Sequence, residues 1–234
     1  MTAVLIDEIL RENGLHIQDC DAVCVSKGPG SYTGLRVGVS SAKGLCFGAG
    51  LPLLAVGTLD ILVAQALRGE TPDQVGGDGP HYDAIIPVID ARRDEVYTAV
   101  YKQTPDQVGG DGLAAAPQGV VPGPSSVTPG SSSVIPGYDR VSPVRALIVG
   151  KDKFDTDLDG RAVLFIGDAA DKCQRLLAQT QDLSLWQFVQ TQPRADAMAA
   201  LAQLAFESGA FEDVAYFEPF YLKDFVATTP KKLF

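Results

Sequence analysis

The order strand, glycine-rich turn, helix, strand, helix constrains the fold of this chain more than any other feature of its sequence. These elements are predicted at Asp21–Ser26, Lys27–Gly34, Leu35–Phe47, Leu53–Val56 and Leu59–Leu67. Strands that alternate with helices pair in parallel, because each helix returns the chain to the same end of the sheet. The sequence therefore predicts the α/β class with a mostly parallel sheet.

Further elements are predicted on both sides of this core. An amphipathic helix at Ala3–Asn13 is ended by Gly14, which suits a left-handed C-terminal cap. Two apolar runs separated by the polar turn DARRD predict an antiparallel hairpin. The hairpin strands are Asp83–Ile89 and Glu95–Tyr101, and they are followed by a strand at Ala162–Ile166 and helices at Ala169–Ala178 and Ala195–Phe206.

The change from alternating strands and helices to a hairpin predicts a second α/β domain, and a shift in composition predicts one insertion. The first domain spans residues 1–80 and the second residues 81–222, with a C-terminal tail at 223–234. The nonapeptide TPDQVGGDG occurs at Thr71–Gly79 and again at Thr104–Gly112, and two copies are too few for a repeat architecture. Residues 103–143 are nearly half Pro, Gly and Ser, so they predict a flexible insertion.

Charge and hydropathy exclude several classes of function. The 234 residues carry a net charge of −10, and 46% of them are apolar. An acidic chain with no basic run is a poor direct binder of nucleic acid. No run of about 20 apolar residues could cross a bilayer, and the first residues do not form a signal peptide. We therefore expect a globular, cytoplasmic protein without a membrane segment.

The glycine-rich turn matches neither of two common phosphate loops. Gly28 and Gly30 permit positive φ and close backbone approach, and Ser31 or Thr33 can cap the next helix. The spacing is GxGxxxG, whereas a dinucleotide fingerprint needs GxGxxG. Lys43 lies far inside the helix, whereas a Walker A motif places its lysine at the helix start. The turn does not form a complete nucleotide loop.

The sequence provides no metal site or catalytic triad. It has four cysteines and two histidines, with no CxxC or HExxH pattern. Cys20 and Cys24 are too far apart along a strand, at about 13 Å, to share one zinc ion, so the cysteines are interpreted as reduced thiols. Neither His16 nor His81 has an orienting carboxylate at a suitable spacing. The charged turn Asp90–Glu95 is expected to be solvated.

The helix after the turn carries many small residues, namely Gly38, Ser40, Ser41, Ala42, Gly44 and Gly48. Each interior glycine costs about 1 kcal/mol relative to alanine, and close packing against another backbone is the usual compensation. That backbone belongs either to the chain's own sheet or to a second subunit, and these residues alone leave both alternatives open. The cations of the region are interpreted as surface residues or ligand contacts; they are Lys27, Arg36 and Lys43.

Four sequence blocks together resemble one known family. They are GPGSYTGLRVGVSSAKGL, LPLLAVGTLDIL, IDARRDEVYTAVY and FEDVAYFEPFYLKDFVATTPKKL, in this order. The chain resembles the TsaB (YeaZ) family, with its C-terminal blocks most similar to the Bacteroidetes branch. The resemblance covers nearly everything outside the Pro/Gly/Ser-rich insertion.

The resemblance implies a fold and a function. It implies the two-domain actin/sugar-kinase/Hsp70 (ASKHA) architecture and a non-catalytic scaffold in the formation of N6-threonylcarbamoyladenosine at adenosine 37 of tRNA. The implied partners are the catalytic subunit TsaD, the ATPase TsaE and a second TsaB, with tRNA reached only through the complex. No cofactor and no metal are implied. The alternatives are a glycopeptidase-like hydrolase and a stand-alone ATP-binding ASKHA protein.

The resemblance also implies which residues meet a partner. The interface with TsaD or a second TsaB would be built from the helices at Ala3–Asn13 and Tyr32–Gly48. Its candidate residues are Leu5, Ile9, Tyr32, Leu35, Arg36, Val39, Lys43 and Phe47. The family's motif loop corresponds to Lys27, Gly28, Gly30, Ser31, Thr33 and Gly34, with a structural role.

One departure concerns the beginning of the chain. Members of the family usually begin with about 50 further residues that form three strands, so the first domain is expected to be N-terminally truncated. The absence of those strands would leave the apolar faces of Val23 and Val25 partly uncovered. We therefore expect self-association or poor solubility.

Overall fold

A computed structural model describes residues 2–68, 82–104, 135, 137–154 and 157–223. The first part of the chain follows the predicted α/β order. Its elements are α1 (Thr2–Glu12), β1 (Val23–Gly28), α2 (Tyr32–Ala49), β2 (Leu53–Gly57) and α3 (Thr58–Leu67).

Strands β1 and β2 form a two-stranded parallel sheet. Val23 pairs with Leu53 and Ser26 with Val56, and helix α2 makes the crossover between the strands. The predicted parallel pairing is confirmed. Gly14 has φ +68° after α1 and Gly50 has φ +71° after α2, so both helices end at glycines in the left-handed conformation.

The second part of the chain builds a seven-stranded mixed sheet. Its strands are β3 (Ala84–Asp90), β4 (Glu95–Thr98), β5 (Tyr101–Gln103), β6 (Tyr138–Arg140), β7 (Arg145–Ile148), β8 (Val163–Gly167) and β9 (Trp186–Gln190). The predicted hairpin is confirmed, because β3 and β4 pair antiparallel with Ile89 opposite Tyr97. Its predicted second strand, Glu95–Tyr101, is broken after Thr98, and the chain pairs again with β3 as β5. On the other edge of β3, β8 and then β9 continue the sheet in parallel.

Two further helices lie in the second part of the chain, and a short 3-10 helix at Ile17–Asp19 precedes β1. Helix α4 (Ala170–Leu177) follows β8, and α5 (Ala199–Glu207) follows a short 3-10 turn at Asp196–Met198. The predicted single helix over Ala195–Phe206 is therefore split into two segments. The last described segment, residues 210–223, is a strap that begins beside β2, where the Glu212 N–H donates to the Leu53 carbonyl.

The central strands of the mixed sheet are buried on both faces. All five residues of β8 are buried, as are the first six of β3. Phe165 lies at the centre, with its ring centroid 4.9 Å from that of Phe188 and 5.3 Å from that of Trp186. A strand buried on both faces is typical of a parallel sheet covered by helices.

The structure corrects two expectations about the second part of the chain. The predicted flexible insertion at 103–143 is wrong at both of its ends, since β5 extends to Gln103 and Tyr138–Arg140 forms β6 against it. Strands β7 and β9 were not predicted. The repeat Thr71–Gly79, nearly all of the second copy and the tail from residue 224 onward lie outside the described residues.

Candidate protein-interaction face

Helix α1 is amphipathic but buries none of its residues in this chain. Its apolar side chains Val4, Leu5 and Ile9 are 62%, 52% and 60% exposed. A helix held in a fold by its own chain normally buries an apolar stripe. The apolar stripe of α1 is therefore available to another surface.

Helix α2 lies beside α1 and has two distinct sides. Its buried side consists of Leu35, Val39, Ala42 and Cys46, which pack toward the chain's interior. Its exposed side runs at helical spacing and consists of Thr33, Arg36, Val37, Ser40, Gly44 and Phe47. Phe47 is 87% exposed, which is exceptional for a phenylalanine. We call α1 and this exposed side of α2 the α1/α2 face.

The small residues of α2 divide between its two sides. Ala42 is buried, and a Cβ built on Gly38 would lie 4.0 Å from Val25 Cγ2 on β1. Gly44 and Gly48 are exposed, and a Cβ at either would meet nothing within 4 Å. The sequence left open whether the small residues pack against the chain's own sheet or against a second subunit. In the structure, some of them pack within the chain and others are exposed to solvent.

Three of the predicted interface residues do not present their side chains on the surface that a partner could contact. Leu35 and Val39 are only 9% and 3% exposed, because they pack beneath α2. The Lys43 Nζ atom turns toward the strap and donates to the carbonyls of Ala215 and Phe217, both at 3.0 Å. Lys43 therefore holds the strap against α2. Leu5, Ile9, Arg36 and Phe47 are exposed on the α1/α2 face.

A shallow groove of about 480 Å³ runs along the first half of α2. Its lining residues are Tyr32, Thr33, Arg36, Val37, Ser40 and Ser41. The Tyr32 ring, half-buried, lies 4.8 Å from the ring of Tyr221 in the strap, and the Arg36 guanidinium lies 5.6 Å from the Tyr32 centroid. This stacking orients Arg36, which makes no ion pair with any residue the structure describes.

The motif loop positions the start of α2. Gly28 has φ +110°, and a Cβ there would lie 2.7 Å from the Phe220 carbonyl oxygen, so this position requires glycine. Gly30, which the sequence grouped with Gly28, does not adopt positive φ. The N-cap is Ser31, whose Oγ accepts from the Gly34 N–H at 3.4 Å. The helix begins at Tyr32, three residues earlier than predicted.

A second polar cluster lies at the carboxyl ends of β3 and β8. The Lys172 Nζ atom donates to Asp90 Oδ1 at 2.7 Å and to the carbonyls of Arg93 and Glu95. Burial raises the pKa of Asp90, but the hydrogen bonds from Lys172 and from the Arg92 N–H outweigh it and hold that pKa below its usual value. Burial raises the pKa of the neighbouring Asp168. The turn Asp90–Glu95, which was expected to be solvated, is therefore partly held in place by hydrogen bonds from Lys172.

The sequence interprets the four cysteines as reduced thiols, and the structure joins none of them in a disulfide. All four are free; Cys46 and Cys173 are buried, and Cys20 and Cys24 are half-buried. Burial raises the pKa of Cys24 to about 11 and that of Cys173 to about 12, so both thiols are protonated at neutral pH. Across the described ranges, no group of three or more His, Cys, Asp or Glu side chains could hold a metal ion. His16 is exposed, and His81 lies outside those ranges.

Some residues of the α1/α2 face were not predicted from the sequence. Val37 is 52% exposed on the same side as Phe47, and Val4 is exposed on α1. The helical spacing of Thr33, Val37 and Ser40 with Arg36 and Phe47 was the available signal.

In the described part of the chain, no helix is both long and apolar enough to span a bilayer.

Comparison with known proteins places the chain in a family. Residues 2–231 match the family model described as TsaD, tRNA N6-adenosine threonylcarbamoyltransferase. The chain is 38% identical over 98 residues to the tRNA threonylcarbamoyladenosine biosynthesis protein TsaB of Bacillus subtilis, covering 42% of this chain and 37% of that protein. A TsaB of Haemophilus influenzae is 39% identical over 93 residues, covering 40% and 35%. The chain thus spans little more than a third of the length of these curated relatives.

A solved structure supports the fold over a longer range. YeaZ from Pseudomonas aeruginosa superposes with a TM-score of 0.64 at 21% identity, covering 93% of this chain and 80% of that one. At this identity the match concerns the fold alone. Since the family model covers almost the whole sequence and the curated relatives carry the TsaB name, the chain belongs to the TsaD family and, within it, to the TsaB/YeaZ proteins.

Proposed function

We propose that this chain is a non-catalytic partner subunit of the complex that transfers a threonylcarbamoyl group to N6 of adenosine 37 in tRNAs reading codons that start with A. It binds and stabilises the catalytic subunit TsaD through the α1/α2 face. TsaE and a second copy of this chain are further proposed partners, and tRNA is reached only through the complex. Because tRNA is the substrate, the proposed place of action is the cytoplasm.

One observation carries this proposal. Two adjacent helices of the same face expose Leu5, Ile9, Val37 and Phe47 to solvent. Burying each such side chain against a partner stabilises a complex by about 1.5–3 kcal/mol before the costs of association. A scaffold needs such a surface, whereas a self-contained enzyme does not.

The architecture proposed for this role is that of an ASKHA protein with domains at 1–80 and 81–222. The division between the two-stranded sheet and the seven-stranded sheet supports this boundary. The α1/α2 face belongs to the first domain. The strap fastens the two, since the Phe220 N–H donates to the Lys27 carbonyl and Lys223 pairs with Glu95 on β4.

The proposal is tested by binding to the TsaD subunit of the same organism, measured by calorimetry. We expect Val37→Asp and Gly44→Trp to abolish binding, because one puts a charge and the other a bulky ring on the α1/α2 face. Gly44 suits this test better than Gly38, where a large side chain would strike β1. Leu185→Asp is the matched control, since Leu185 is 53% exposed beside the other sheet.

Two results would overturn the proposal. Binding that survives Val37→Asp and Gly44→Trp would remove the α1/α2 face from the contact. Absence of binding by the wild-type chain, with threonylcarbamoyl transfer unaffected by its removal, would exclude the scaffold role itself.

A further inference from the structure

The two helices of the α1/α2 face carry opposite charge. Helix α1 holds Asp7, Glu8, Arg11 and Glu12, whereas α2 holds Arg36 and Lys43 and no acidic residue. Formal charge is therefore −2 on α1 and +2 on α2. Charge separated between two neighbouring helices in this way is complementary to a copy of itself turned by a two-fold axis.

Only some of these charges are free for a partner. Asp7 is paired with Arg11 at 2.8 Å, and Lys43 is bound to the strap carbonyls. Glu8 and Glu12 are exposed, and no ion pair holds either of them within the described ranges. Arg36 is likewise unpaired there and is oriented by the ring of Tyr32. One cation on α2 and two carboxylates on α1 therefore remain available to pair with a partner.

These free charges share stripes with the exposed apolar residues. Glu8 and Glu12 follow Leu5 and Ile9 at helical spacing on α1, so all four lie on one side of that helix. Arg36 adjoins Val37 in the groove of α2. An apolar centre with charges at its border is the usual anatomy of a protein interface.

We propose that Arg36 determines partner selection on this face by pairing with a carboxylate of the facing helix, which in a second copy is Glu8 or Glu12. The inference rests on the proposed use of the α1/α2 face. A two-fold axis then packs α1 of one copy against α2 of the other and forms the charge pair twice. The alternative of α2 against α2 would bring the two Arg36 guanidinium groups together, which is unfavourable.

The test is the dimer dissociation constant from sedimentation equilibrium, with the circular dichroism spectrum confirming that each variant is folded. We expect Arg36→Glu to weaken the dimer by about tenfold, since two attractive pairs become repulsive. Combining Arg36→Glu with Glu8→Arg and Glu12→Arg restores the affinity. Lys151→Glu, the same charge change on an exposed lysine outside the face, leaves it unchanged.

The outcomes separate this inference from the proposed function. Suppose that Val37→Asp breaks the dimer but the dissociation constant of Arg36→Glu equals that of Lys151→Glu. The α1/α2 face is then the dimer contact, and the proposed role of Arg36 is overturned. If wild type is monomeric at all concentrations, the second copy is excluded as the occupant. If the dimer survives Val37→Asp, both the face and the inference fail.

Discussion

The two sheets of this protein differ in how far they cover their own apolar surface. In the seven-stranded sheet, β3 and β8 are buried almost end to end. In the first region, the first five residues of β1 are only half-buried and helix α1 buries no residue at all, whereas β2 buries three of its five residues. One region completes its core within the chain, and the other presents apolar side chains outward. The proposed function assigns stability to the seven-stranded sheet and partner contact to the first region.

The same substitution in the two regions gives the largest expected contrast. Phe165→Ala removes a fully buried ring that contacts Phe188 and Trp186, and we expect it to lower the free energy of unfolding by about 3–5 kcal/mol. Phe47→Ala truncates a ring that is 87% exposed and is expected to change that energy by less than about 0.5 kcal/mol. Urea denaturation of the isolated chain measures both. Equal losses would erase the distinction between the regions.

Removal of the strap's anchor is expected to have a smaller effect. Lys43→Met eliminates two hydrogen bonds to Ala215 and Phe217 and leaves those carbonyls without the ammonium group. Because bonds to charged groups are worth about 1.5–3 kcal/mol, we expect a loss of about 2 kcal/mol and faster proteolysis near Tyr216. Lys151→Met serves as the control. A Lys43→Met chain as stable and as protease-resistant as wild type would show that Lys43 does not hold the strap.

Substitution of a glycine on the α1/α2 face is expected to raise the free energy of unfolding rather than lower it. Gly44 lies inside α2, where a Cβ meets nothing within 4 Å, so Gly44→Ala is expected to stabilise the isolated chain by about 0.5–1 kcal/mol. In the seven-stranded sheet, Gly167→Ala is expected to have the opposite effect and to destabilise the chain. Gly167 has φ +141°, and its Cβ would lie 2.0 Å from the Val88 carbonyl oxygen. Thermal unfolding checks the pair, and a lower melting temperature for Gly44→Ala would mean that Gly44 contacts its own chain.

The smallest expected effect concerns pH at the end of the seven-stranded sheet. The lowered pKa of Asp90 means that its carboxylate stabilises the fold above its unfolded pKa of about 4, and this contribution is lost as pH falls through the folded pKa. Lys172→Met should therefore cost about 0.5 kcal/mol more at pH 7 than at pH 3, a modest value because Asp90 is half-exposed. Urea titrations at the two pH values measure the difference. An identical cost at both would contradict the ion pair's contribution.

The sequence predicted the first sheet better than the second. Strands β1 and β2 alternate with helices, and the apolar runs of β3 and β8 are long enough to identify alone. Strands β6 and β7 have only three and four residues, and β6 follows a segment rich in Pro, Gly and Ser. Strand β9 is as long as β8, but its sequence WQFVQ includes two glutamines and is not a continuous apolar run. Such strands are stabilised by neighbours distant in sequence rather than by local preference, so their residues give little signal.

The α1/α2 face was predicted in outline but not in detail. Helical spacing alone gives α2 two apolar stripes, one with Leu35 and Val39 and one with Val37 and Phe47. Which stripe faces the sheet depends on where β1 and the strap lie, and the sequence does not contain that information locally. The bonds from Lys43 to the strap were unpredictable for the same reason, since they join residues more than 170 positions apart.

We infer that the poorly buried first region is a docking surface. Hydrogen–deuterium exchange of the full chain, alone and with TsaD from the same organism, tests it most directly. We expect TsaD to slow amide exchange in α1 (Thr2–Glu12) and α2 (Tyr32–Ala49) and to leave exchange in β3 and β8 unchanged. Protection confined to the seven-stranded sheet, with none in the two helices, would contradict it.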